Sequence, residues 1–368
     1  MSGAACSGCL ARTWLVARLA GRIEIARHEK RRLRELLALS EEQLIAALGG
    51  ERAGALSAEF ERLDVDALRE AVAHSGLDAV CRHDAAYPAR LRDLDDAPAV
   101  LFVAGGCQRL SALVGGDLDE GPRAVAVVGT RRASPDGLEV ARGLGRGLAA
   151  AGVTVVSGMA LGVDSAAHAG ALEAGARTVA VLAGGADVPY PPSKARLHRL
   201  IGEQGCVVAE MPPGFVALRW CFPARNRIIA ALGHMTIVVE AAQRSGSLIT
   251  AEIAADLGRE VGAVPGPVTA WRATGTNALL RDGATLIRNA CDALDAAVGI
   301  DRHDAPVLPH IEPRLRDLLR AVADGSDTLA ALTRTPNEVA PTLAALTELE
   351  LLGCLRRVAG GRYVVIPQ

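Results

Sequence analysis

Lysine is almost absent. The chain of 368 residues has two, Lys30 and Lys194. Neither follows a glycine, so the backbone cradle and lysine of a P-loop are missing, and with them the usual apparatus of nucleotide triphosphate hydrolysis. Aromatic residues are scarce too, at 3%. That leaves little scope for base stacking as the main grip on a nucleic acid. Excess charge is also lacking. The formal net charge is −2, so a nucleic-acid site has to be a local basic patch. The eight cysteines are scattered. Cys6-Ser-Gly-Cys9 is the only CxxC, and no second pair completes a zinc site. No metal is expected, and the thiols read as buried and reduced. No charged leader runs into an apolar stretch, and no run of about 18 apolar residues suggests a span. The expectation is a soluble, cytoplasmic protein with no membrane partner.

What is present is a large apolar fraction, 50% of the residues, enough for a substantial core in two or three domains. Residues 1–84 read as a small helical unit. Trp14–Gly21, Ile23–Leu39 and Glu41–Leu48 carry helical apolar spacing, with Ser40 as an N-cap. From Ala124 the pattern changes to strand, glycine turn, helix, repeated. The strands are Ala124–Val128, Val153–Val156, Thr178–Leu182, Cys206–Ala209, Met235–Val239 and Val261–Val264. Short continuous apolar strands alternating with helices predict an α/β fold: a Rossmann-like, doubly wound parallel sheet over residues 85–297. A linker at 298–312 follows. Residues 313–368 then read as three helices and a hairpin around Gly360-Gly361, a winged-helix pattern. Its third helix holds Glu338, Glu348 and Glu350, which argues for contact with protein over duplex DNA.

Ligands on doubly wound sheets bind at the carboxyl ends of the strands. Gly129-Thr130-Arg131-Arg132 sits at the first such end. A dinucleotide fingerprint requires a second glycine where Arg131 stands, and no acidic residue follows the next strand to take a ribose. This argues against a nicotinamide cofactor, while Arg131 can hold a single phosphate. Ser157-Gly158 opens the next turn, where Asp164 and His168 share a helix face. Without a third member for a catalytic or metal set, they read as a cap and a locally bonded histidine. Lys194 starts the helix after the third strand. Phe222-Pro-Ala-Arg225-Asn226-Arg227 places two arginines in a first helical turn, where the dipole favours anions. Taken alone the pair also fits an ordinary solvated turn. Ser245-Gly246-Ser247 opens another helix with small residues that expose N–H groups. Turns after different parallel strands converge on one rim and suggest a groove of phosphate-sized pockets, which suits a polynucleotide better than one mononucleotide.

In order and spacing, Val127-Val-Gly-Thr-Arg131, Val156-Ser-Gly-Met-Ala-Leu-Gly-Val-Asp-Ser-Ala-Ala-His168, Tyr190-Pro-Pro, Phe222–Ala230, Arg244-Ser-Gly-Ser-Leu-Ile-Thr250 and Val264-Pro-Gly266 resemble the DprA (Smf) family of DNA-processing proteins. The resemblance covers about residues 85–297 and extends more weakly to the flanks, with a SAM- or HhH-like helical unit first and a winged helix last. It implies a non-enzymatic protein without cofactors that binds single-stranded DNA, dimerises through the Rossmann-like core and loads RecA recombinase during natural transformation. The family's contact positions fall on Arg131, Lys194 and the arginine helix. Leu161 departs from the pattern, since many relatives carry arginine there. For the dimer, Leu279, Leu280, Leu286 and Ile287 offer more apolar surface than a peripheral segment should show. The rival reading is a nucleotide phosphoribohydrolase of the lysine-decarboxylase-like Rossmann group. Its P-G-G-x-G-T-x-x-E turn is only approximated here by Ser245–Glu252.

Overall fold

The computed structural model describes residues 5–29, 32–117, 121–298, 311–323, 326, 328–333, 335–358 and 361–365. Lys30, Gly360 and most of the expected linker at 298–312 lie outside the described residues. Six helices come first: α1 (Ser7–Arg18), α2 (Ala20–His28), α3 (Leu33–Ala38), α4 (Glu41–Leu48), α5 (Ala53–Glu61) and α6 (Val65–His74). Ser40 caps α4 as expected, in a reciprocal box with Gln43. The helix expected over Ile23–Leu39 is two helices, since α2 stops at His28 and α3 starts at Leu33.

The central element is a nine-stranded sheet. Its strands are β1 (Asp78–Cys81), β2 (Val100–Ala104), β3 (Ala124–Val128), β4 (Thr154–Ser157), β5 (Thr178–Gly185), β6 (Cys206–Met211), β7 (Met235–Val238), β8 (Glu260–Ala263) and β9 (Thr285–Leu286). The order across the sheet is β1-β2-β6-β5-β4-β3-β7-β8-β9. β2 runs antiparallel to β1 and β6, and the other pairs are parallel. Residues 1–84 read as helical from sequence, so β1 is a correction. Its short run Ala79-Val80-Cys81 is buried against β2, and tertiary pairing outweighs its local ambiguity.

The connecting helices are α7 (Cys107–Val114), α8 (Pro135–Ala150), α9 (Val163–Glu173), α10 (Ala195–Gln204), α11 (Cys221–Leu232), α12 (Gly246–Asp256) and α13 (Thr274–Arg281), and α14 (Ala290–Val298) follows the last strand. They cover both faces, which is why the strands read as unbroken apolar runs. Ala124, Ala126 and Val128 point into a core with Ile228, Leu232 and Ala251 of α11 and α12. Val125 and Val127 point the other way, onto Leu144, Leu148 and Ala167 of α8 and α9. The helical unit is not packed separately. Leu15, Ile23 and Leu44 share a cluster with Met211, Trp220, Cys221 and Ala224. No helix among the described residues is long and apolar enough to cross a membrane.

The C-terminal segment holds α15 (Pro313–Ala323), α16 (Leu329–Leu332), α17 (Pro336–Leu351) and the antiparallel strands β10 (Leu355–Val358) and β11 (Arg362–Val365). Leu315, Leu346, Leu349, Leu355 and Tyr363 give it a core of its own. Of the residues expected to form an apolar surface patch, Ile287 is wholly buried in the sheet core, whereas Leu286 is exposed.

His168 is buried on α9 against β5. Thr178 Oγ1 donates to Val155 O at 3.0 Å, so at its 2.6 Å contact with His168 Nδ1 it accepts, and the ring is neutral with the proton on Nδ1. Burial pushes its pKa down to about 3. An unfolded chain protonates this histidine below about 6.5, and the folded chain resists until far lower pH. Its contribution to stability is therefore complete above that range and lost as pH falls from about 6.5 toward 3. Denaturant titrations should show the wild type losing about 2 kcal/mol from this group between pH 7 and 5. His168→Gln should remove that part of the loss; an identical pH dependence in the variant would assign it elsewhere.

Candidate nucleic-acid interface

From β3 the chain lays β4, β5 and β6 on one side and β7, β8 and β9 on the other. The loops after β3 and β7 diverge at this switch point and leave a crevice at the carboxyl ends. Here it is a cleft of about 470 Å³. Its walls are Gly129, Thr130 and Arg131 after β3, Phe222, Arg225 and Asn226 of α11, and Ser245, Gly246 and Ser247 at the start of α12. Nine of the residues singled out in the sequence thus meet around one cavity.

Each wall has a local cause. Gly129 is glycine because a Cβ there would meet Val163 Cγ2 at 2.6 Å and Glu240 O at 3.1 Å. The close approach is to the protein's own chain, not to a pyrophosphate. Thr130 N–H donates to Glu240 O at 2.7 Å, fixing the β3 loop to the β7 loop. Arg131 is exposed, and its guanidinium lies over the Phe222 ring, 5.2 Å from the centroid. Phe222 in turn packs against Tyr190 at 5.2 Å. Across the cleft, Ser245 caps α12 through Ser247 N–H. Gly246 is exposed and a Cβ on it would meet nothing within 4 Å, so the backbone there is open to approach. The start of α8 is different. Ser134 N–H and Oγ donate to the Glu240 carboxylate at 2.9 and 2.5 Å, so a protein carboxylate already occupies that helix end.

The two arginines of α11 are the main correction. Both are buried, at 7% and 1% exposure. Arg227 donates to both Glu210 oxygens at 2.9 and 3.0 Å and to Asp96 O at 2.8 Å, with its Nε 2.9 Å from Asp96 Oδ2. Burial opposes its charge, but Glu210 and Asp96 more than offset that and hold its pKa above the usual value. It is committed to the core and does not reach the cleft. Arg225 lines the cleft floor, and its Nη1 donates to Gly158 O at 2.7 Å and Val181 O at 2.5 Å. Burial pulls its pKa down to about 10, with Asp164 opposing. Its Nε has no hydrogen-bond partner among the described residues.

Four further expected residues do not line the cleft. Ser157 is fully buried, donating to Val127 O at 2.6 Å. Gly158 is buried beneath Arg225, whose guanidinium any Cβ would strike. Arg132 is exposed beside the loop, and its carbonyl accepts from Arg272. Lys194 ends the short turn after Tyr190-Pro-Pro and stays outside the cavity. Asp164 does not cap its own helix. It reaches back to the N–H groups of Gly158 and Ala160 at 3.2 and 3.4 Å. Burial raises its pKa, against the pull of Arg225.

Sequence reasoning missed Arg27. It stands on α2 beside Glu24, which also accepts Trp220 N–H at 2.8 Å. That bond docks α2 on the start of α11 and brings Arg27 to the cleft wall. Only tertiary packing marks it, since locally it is one of many helix arginines.

A family model described as DNA recombination-mediator protein A matches residues 78–297. A putative DNA processing protein DprA from Mycobacterium tuberculosis is 46% identical over 208 residues, 56% of this chain and 51% of that one. The chain thus spans about half the length of that relative. Protein Smf from Escherichia coli is 36% identical over 287 residues, 75% of this chain and 74% of that one. Among solved structures, DprA from Streptococcus pneumoniae superposes with a TM-score of 0.61 at 32% identity, over 78% of this chain and 95% of that one. DNA processing protein A from Helicobacter pylori, whose structure is described in terms of a single-stranded DNA binding mode, gives 0.52 at 29%, over 60% and 96%.

The contrast between buried and exposed arginines is measurable without a ligand. Arg227→Met leaves the buried Asp96 and the partly buried Glu210 uncompensated, and should cost about 3–5 kcal/mol in urea unfolding. Arg131→Ala removes an exposed side chain and should cost no more than about 0.5 kcal/mol. Equal losses would mean that Arg131 is also structural.

Proposed function

We infer that this chain, which belongs to the DNA recombination-mediator protein A family, binds single-stranded DNA without sequence preference along the carboxyl rim of its sheet and delivers it to RecA recombinase. Arg131 carries the reading. It is a cation at a strand's carboxyl end, exposed, held over Phe222, and faced by the open start of α12. A backbone phosphate fits between the guanidinium and the Gly246 turn. The Phe222–Tyr190 pair offers a stacking face for a base of any identity. Arg132 and Lys194 flank the cleft and extend the phosphate path along the rim. The grip is one of position and charge, with no turnover, and the matches favour it over the phosphoribohydrolase reading. Delivery to RecA rests on the family description.

We propose that the chain dimerises through the same core. Val268 and Trp271 after β8, and Leu286 on the edge strand β9, are exposed apolar residues of that core. Two copies joined there would set two rims side by side and raise the local concentration of sites for a long strand. The C-terminal segment is read as a protein-contact module because α17 is acidic.

Binding measured across salt concentrations tests the DNA site. Arg131→Ala should weaken oligonucleotides of every sequence alike and flatten the log–log salt slope by about 0.7. Leu161 is 43% exposed in the neighbouring loop. Leu161→Arg should steepen that slope by about the same amount. If neither variant moves the slope, the strand lies elsewhere. Light scattering tests the dimer: Leu286→Glu in the full chain should shift its mass toward the monomer, and an unchanged mass would place the interface on another surface.

A further inference from the structure

The CxxC that lacked a partner in sequence has one in space. Cys6 is the N-cap of α1 and Cys9 lies in its first turn. Cys81 ends β1, and His83 follows in the next turn. One ligand atom from each of Cys6, Cys9, Cys81 and His83 lies within 4.8 Å of the other three. Cys6 Sγ and Cys9 Sγ stand 3.5 and 3.4 Å from His83 Nδ1. Cys6 N–H donates to Cys81 Sγ at 3.5 Å. All three cysteines are free thiols.

Hydrogen bonding does not account for this arrangement. When His83 Nδ1 is an acceptor it has one lone pair, which takes one S–H and not two. A tetrahedral zinc ion, with sulfur at about 2.3 Å and nitrogen at about 2.0 Å, gives sulfur–nitrogen edges of about 3.5 Å and sulfur–sulfur edges of about 3.8 Å. The two measured sulfur–nitrogen separations match the first value. With every ligand atom inside 4.8 Å of the others, the sulfur pairs need to close by no more than about 1 Å.

We propose that Cys6, Cys9, Cys81 and His83 bind one Zn²⁺ as a Cys₃His structural site, with His83 coordinating through Nδ1. Three thiolates and an imidazole suit zinc and not magnesium or calcium. Four protein ligands leave no open position for catalysis. The Cys6 N–H supports the Cys81 sulfur from outside the first coordination sphere. The complex of Zn²⁺ with three thiolates carries one negative charge, beside Arg82 in the chain. The family model begins at residue 78, so it contains Cys81 and His83 but not Cys6 and Cys9. Mechanically, the ion ties the first turn of α1 to the end of the edge strand β1, fastening the helical unit to the sheet.

The test is elemental analysis of the full chain, purified in reductant without chelator. One zinc per chain is expected. Cobalt exchange should give the strong visible bands and sulfur-to-metal charge transfer of a tetrahedral thiolate site. A chelator added after thiol capping should release the zinc and lower the melting temperature. Cys81→Ser and Cys6→Ser should lose the metal, while His83→Cys should keep it. Wild-type protein with neither bound zinc nor a cobalt spectrum overturns the proposal, whatever the variants do. So does zinc that stays after Cys6 and Cys9 are both replaced by serine, stoichiometric iron with a cluster spectrum, or a Cys6–Cys9 disulfide in the purified chain.

Discussion

Taking two guanidiniums out of water on one helix shapes everything at the carboxyl rim. Arg227 is neutralised by Glu210 at the end of β6 and by Asp96 ahead of β2, so α11 is fastened to two chain segments far apart in sequence. Arg225 is held instead through Nη1 by the carbonyls of Gly158, just after β4, and Val181, within β5. Burying either group is costly unless its donors find acceptors, and the position of α11 gives both guanidiniums acceptors at their Nη atoms. With these two turned inward, Phe222 and Asn226 face the cleft from the same helix. The exposed cation over Phe222 then comes from another loop, Arg131. The arginine-rich motif builds the wall, and a neighbouring turn supplies the charge.

The sheet was legible because its strands are short, apolar on both faces and punctuated by glycine. Six strands stand within a few residues of their expected limits, and Ser134 with Pro135 starts α8 where the pattern places it. β1 and β9 were not legible. Each is short and lies at a sheet edge, so its identity depends on pairing and not on its own pattern. The site shows the same division. That the loops meet at the switch point follows from strand order alone. Which arginine is exposed does not, because Arg225, Arg227 and Arg131 have the same chemistry and differ only in what lies within reach of each guanidinium. Ile287 misled for the reverse reason: an apolar residue beyond the last clear strand reads as surface until the core it enters is known.

The helical unit is tied into this site. Its core continues into Trp220, Cys221 and Ala224 at the start of α11, and Glu24 accepts the Trp220 N–H. A shift of α2 would move both Arg27 and the first turn of α11, the two contributions to the cleft wall from that side. Position of the unit therefore matters more than its own chemistry, and apolar packing alone is tolerant of small slides. A four-ligand clamp at Cys6, Cys9, Cys81 and His83 is far less tolerant, since bond lengths and angles around an ion are fixed more tightly than van der Waals contacts.

The charge pattern then bears on the proposed binding of a polyanion by a chain with a net charge near zero. Many of its arginines are paired: Arg142 and Arg146 share Glu173, Arg259 meets Asp93, and Arg288 meets Asp292. Paired cations contribute little to a distant phosphate, because screening confines their field to about 10 Å and the partner cancels it. Affinity must come from a few cations left uncancelled on one edge. Arg131 and the open start of α12 form such a place, and a single place of that kind binds weakly. In the proposed dimer, a long strand reaching two rims would gain by linkage what one rim lacks in charge. A weak grip repeated in this way also suits the proposed delivery of the strand to a recombinase. Phosphates that let go one at a time each cost little, whereas one strong site would have to be vacated in a single step.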